Sequence, residues 1–110
     1  MDRRELSAAR AGLAPGDRAA LGALIKASVR AFADRTPGHS VELRVPPFVA
    51  VQCVEGPRHT RGTPPNVVEV DATTWLQLAL GELEWAQGVA DGRIDASGPR
   101  SDLSAYLPFP

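Results

Sequence analysis

An α+β fold, with a small, largely antiparallel sheet and helices packed on one side, is the class this sequence predicts. Three observations carry it. Apolar residues at Leu21, Leu24, Ile25, Val29 and Phe32 recur at helical spacing, Val41-Glu42-Leu43-Arg44-Val45 alternates strictly, and two short helical patterns follow the last strong strand. Strand and helix do not alternate regularly, and no G-x-G-x-x-G follows a strand, so a nucleotide-binding doubly wound sheet is excluded.

Residues 1–16 read as a loosely ordered or short helical segment, because they lack a clean period and run into Pro15-Gly16. Asp17 is a candidate N-cap for the helix carrying the Leu21–Phe32 stripe. Thr36-Pro37-Gly38 ends that helix, since the residue before proline is pushed out of the α region and glycine accepts a helix exit. Val41–Val45 is a strand with one face on a core. Pro46-Pro47 lacks amide donors and suits a tight turn into Phe48–Val54, which is apolar on both faces and is expected to be a central strand. The stretch EGPRHTRGTPPN, residues 55–66, then joins that strand to its expected partner Val67–Val70. Asp71 caps a helix through Trp75, Leu76, Leu78 and Leu80 that Gly81 stops, and Glu84–Asp91 forms a second short helix ended by Gly92. Arg93–Ser97 is a short strand, and Asp102–Leu107 a final helical turn or two.

A chain of 110 residues supports one modest core, so residues 1–110 are expected to form a single domain. A net charge of -1 argues against electrostatic binding to nucleic acid, which needs a basic face. No apolar run approaches the roughly 20 residues that span a bilayer, and the N-terminus lacks the apolar stretch of a signal peptide, so a soluble cytoplasmic protein is expected. One cysteine and two distant histidines cannot supply a four-ligand zinc site, and no metal or cofactor is expected.

From Trp75 to Gly98, with Gly81 and Gly92 between short helices and a strand, followed by Asp102-Leu103 and Leu107, the chain resembles the sterol carrier protein family. The middle segment VPPFVAVQCVEGPRHTRGTPPNVVE is similar to a short, stand-alone bacterial branch of that family. The resemblance implies a sterol-carrier-like curved sheet of three to five strands, with helices enclosing an apolar cavity for a fatty acyl chain, sterol or comparable ligand. It implies a non-catalytic lipid-binding domain. Two departures from the larger relatives are a proline-rich middle and few aromatic residues to line a tunnel. The C-terminal pattern also resembles the accessory domain of mycothiol-dependent isomerases, which would make the chain an accessory subunit in thiol-cofactor chemistry beside another polypeptide.

The apolar residues expected to line a ligand site are Phe48, Val51, Trp75, Leu76, Leu80, Trp85, Val89, Leu103 and Leu107; a filled core would use the same side chains. Arg58, His59 and Arg61 form the candidate contact for an anionic head group, because guanidinium forks recognise phosphate and carboxylate bidentately. The bland alternative is a turn whose arginines are solvated or pair with Glu55 and Glu69. His59 has no matched nucleophile or acid, and Cys53 lies in an apolar strand, so no catalytic residue is assigned. A carrier of an apolar or amphipathic small molecule is the first reading. A homodimeric or protein-interaction module with a filled core is the alternative, its interface set by the proline pairs and short edge strands.

Overall fold

The computed structural model describes residues 1–57 and 65–110. Helix α1 (Arg3–Ala11) begins where the Asp2 carboxylate accepts from the Glu5 amide at 2.8 Å, and Leu6 is its one buried residue. Helix α2 (Arg18–Arg35) begins at Asp17, whose carboxylate accepts from the Ala20 amide, and buries Leu24, Ile25, Val29 and Phe32. It ends at Thr36, whose hydroxyl donates back to the Phe32 carbonyl.

Strands β1 (Val41–Val45) and β2 (Val49–Cys53) form an antiparallel hairpin around Pro46-Pro47. Strand β3 (Asn66–Val70) runs parallel to β1, and β4 (Ile94–Ser97) pairs antiparallel with β3. The sheet is therefore open and mixed, in the order β2-β1-β3-β4. Between β3 and β4 come helices α3 (Ala72–Ala79) and α4 (Trp85–Ala90), and a 3-10 turn at Ser104–Tyr106 follows β4. This is the α+β class that the periodicities predict, with two of the three strand pairings antiparallel.

The expected central position of the second strand is corrected: β2 is an edge strand, and β1 and β3 are central. Ala50 and Gln52 are exposed while Cys53 is buried. A small alanine and a neutral glutamine had disguised a solvent-facing row as an apolar one. Nor does residue stretch 55–66 join neighbouring strands, because β1 lies between β2 and β3.

Register explains how one face of the sheet becomes the core. Val51, Leu43, Val68 and Ala96 lie side by side across all four strands, flanked by Val41, Val45, Val70 and Ile94 on the same face. The opposite face carries the rows Gln52, Glu42, Val67, Ser97 and Ala50, Arg44, Glu69, Asp95. On the inner side α2 lies against β2 and α4 against β4. Trp75 of α3 stands at the junction: its ring meets Phe32 edge-on at 5.4 Å and Phe109 at 6.1 Å between centroids, and its indole N–H donates to Ser28 Oγ at 2.9 Å. Ser28 in turn donates to the Ile25 carbonyl.

The exit from α2 is held by Val54, a β-branched residue at φ 68° that left-handed backbone disfavours. Its amide donates to the Thr36 carbonyl at 2.7 Å, and its carbonyl accepts from both the amide and the hydroxyl of Ser40. Gly38 passes so close that a Cβ there would lie 2.1 Å from the Val54 oxygen. Gly38→Ala is expected to cost at least about 4 kcal/mol, since backbone must move. Gly16→Ala, at φ 77° with open space around it, should cost only about 1–2 kcal/mol. Urea unfolding of both variants checks the contrast.

Candidate functional site

Among the described residues, an open groove of about 470 Å³ lies on the helical side. Its apolar lining comes from Leu78 at the end of α3, Leu83 and Trp85 around the start of α4, and Leu107 and Pro108 of the C-terminal tail. The chain turns there because Gly81 takes φ 76°, beyond the reach of most side chains. Arg3 of α1, Glu84 and Ser104 supply polar lining. Among the described residues Arg3 has no ion-pair partner.

Several fasteners hold the walls. The Arg3 amide donates to the Pro110 carbonyl at 2.8 Å, and the Phe109 amide to the Ala79 carbonyl at 2.9 Å. Phe109 is buried, with the Arg35 guanidinium 4.1 Å above its ring. Arg10 grips Glu82 with both terminal nitrogens, at 2.7 and 2.5 Å, which fastens α1 to the segment that forms one wall. That hydrogen-bonded guanidinium holds the Glu82 carboxyl below its ordinary value.

The residues expected to line a single site are divided. Trp85 and Leu107 share the groove. Trp75, Leu76, Leu80 and Leu103 are packed into the core, at 1, 5, 9 and 0 % exposure. Phe48 and Val51 are half-buried on the β2 side, where Phe48 packs on Gly22 and under the Arg18 guanidinium. Val89 faces water. Arg58, His59 and Arg61 lie outside the described residues.

Arg3, Leu78 and Leu83 are groove residues that sequence reasoning missed. A usable signal for the first was Asp2 followed three residues later by Glu5, the pattern of a helix start. Leu78 and Leu83 carry no such mark, because only the turn at Gly81 brings them together.

Cys53 is fully buried in β2, and burial pushes its thiol up to about 11, outweighing a hydrogen bond with Thr36 that acts the other way. It is a core side chain at neutral pH. Among the described residues no group of three or more His, Cys, Asp or Glu could hold a metal ion, and no helix is long and apolar enough to cross a membrane.

A sequence profile described as bacterial SCP ortholog, SCP denoting sterol carrier protein, matches residues 17–109. The chain belongs to the bacterial SCP ortholog family. The match takes in α2, the whole sheet, α3, α4 and Phe109 of the tail, and begins after α1. No curated protein matches the sequence. Family membership points to carriage of an apolar small molecule, and every lining residue of the groove except Arg3 falls within the matched residues.

Glu82 contributes stability above the unfolded carboxyl's ordinary value of 4.5, and that contribution is lost as the pH falls through its lower folded value. Glu82→Gln should flatten this acid limb by lowering the urea midpoint at neutral and alkaline pH, where the charged pair is formed, with little change below the folded value. Iodoacetamide should modify Cys53 only at the rate of unfolding, and labelling should accelerate in step with added urea.

Proposed function

We propose that the protein is a non-catalytic cytoplasmic carrier of an amphipathic small molecule, an acyl chain or sterol-like lipid, seated in the groove beside α4. The apolar portion lies over Leu78, Leu83, Trp85 and Leu107, and an anionic end reaches Arg3. The observation that carries this reading is a groove of mixed lining, in which Leu83, Trp85 and Leu107 stand beside Arg3, an arginine that lacks an ion-pair partner among the described residues. Its volume falls within the roughly 300–1,000 Å³ of small-molecule sites. Family membership independently supports the lipid class. Arg58, His59 and Arg61 are a second candidate for head-group contact.

Self-association is a second reading, favoured by a separate observation: the edge strand β2 contains no charged residue.

A fluorescent fatty acid should bind the purified protein saturably, with a change in tryptophan emission. Leu83→Arg places a charge among the apolar lining residues and should weaken binding at least about tenfold, the equivalent of 1.4 kcal/mol. Arg3→Ala should weaken the fatty acid about threefold to tenfold and leave the matching fatty alcohol unaffected, as expected for a partly exposed ionic contact. Equal binding by wild type and Leu83→Arg would rule out this groove, and no uptake at all would rule out the carrier reading.

A further inference from the structure

The two edges of the sheet differ in a way that bears on what meets them. An edge strand presents alternate backbone N–H and C=O groups without partners, and proteins ordinarily protect such edges with charge, proline or brevity. β4 has such protection. It is four residues long and carries exposed Asp95. A two-fold axis through Asp95 would set two carboxylates opposite each other, and one through Ala96 would set Ile94 against Gly98, which has already left extended backbone at φ 98°.

β2, one residue longer than β4, has neither charge nor proline. Val49-Ala50-Val51-Gln52-Cys53 contains no charge and no proline, and Ala50 and Gln52 are exposed. Among the described residues no strand pairs with its outer side. The nearest charges on the same face, Glu42 and Arg44 of β1, neutralise each other in an ion pair at 2.5 Å.

The strand is also complementary to itself. Antiparallel pairing about Val51 sets Val49 against Cys53, Ala50 against Gln52, and Val51 against its own copy. Every apolar inner residue then meets an apolar inner residue, and the two exposed outer residues meet each other. This register uses all five residues and brings no like charges together.

We infer that the outer edge of β2 is a homodimer interface, where a second copy of this chain adds its own β2 antiparallel about a two-fold axis through Val51. Two four-stranded sheets thereby merge into one continuous sheet. The groove beside α4 does not take part, because α4 lies against β4 at the opposite edge. Carrier function and self-association are thus separable.

Light scattering on the full chain across a dilution series tests this, with the melting temperature recorded for each variant. Wild type should show twice the 11.7 kDa chain mass and dissociate on dilution. Ala50→Lys with Gln52→Lys puts lysine opposite lysine across the interface at exposed positions, and should give a folded monomer. A wild type that is monomeric throughout, or a dimer that persists in the double-lysine protein, would overturn the inference. Should that protein fail to fold, Ala50→Cys with Gln52→Cys supplies the second measurement. Mild oxidation should link position 50 of one copy to position 52 of the other, while Asp95→Cys on the β4 edge should stay uncrosslinked. Absence of the 50–52 crosslink in folded protein, or equal crosslinking at position 95, would overturn it.

Discussion

The buried indole of Trp75 ties three otherwise separate parts of the chain together. It belongs to α3, its N–H is satisfied by Ser28 of α2, and its ring edges meet Phe32 of α2 and Phe109 of the C-terminal tail. A polar N–H taken out of water without a partner would be costly, so the position of α3 relative to α2 is fixed by the hydrogen bond as well as by packing. Phe109 then carries the tail with it. Because the tail and the end of α3 form two walls of the groove, the groove's shape depends on a contact that lies behind it rather than within it.

The sheet is asymmetric for a related reason. One face is consumed by this core, and among its buried side-chain nitrogens and oxygens none is left without a partner in the described residues. Its other face carries Glu42, Arg44, Glu69 and Asp95 and is suited to water. The side chains of Trp75, Leu76, Leu80 and Leu103 are engaged in packing, whereas Leu83, Trp85 and Leu107 on the outside of the helical layer are only half-buried.

Much of this was legible in the residues. The helical stripe of α2, the alternation of β1 and the caps at Asp17 and Asp71 are local signals, and each element forms where those signals place it. The parallel pairing of β1 with β3 was not legible, because no period records which strand a chain segment returns to. β2 was misread as central because alanine at position 50 counts as apolar on either side of a sheet. The candidate site suffered most. Large apolar side chains are equally good core and ligand-site material, and only the turn at Gly81 and the docking of α1 separate Trp85 and Leu107 from Trp75 and Leu103.

The two tryptophans offer a direct reading of where a ligand goes, since one lies in the core and the other in the groove. A ¹⁵N-labelled sample titrated with a medium-chain fatty acid reports each indole N–H separately in a two-dimensional NMR spectrum. The indole signal of Trp85 should move progressively and saturate, while that of Trp75, bonded to Ser28, should hold its position. Movement of the Trp75 signal with Trp85 unchanged would place the ligand in the interior and contradict the account.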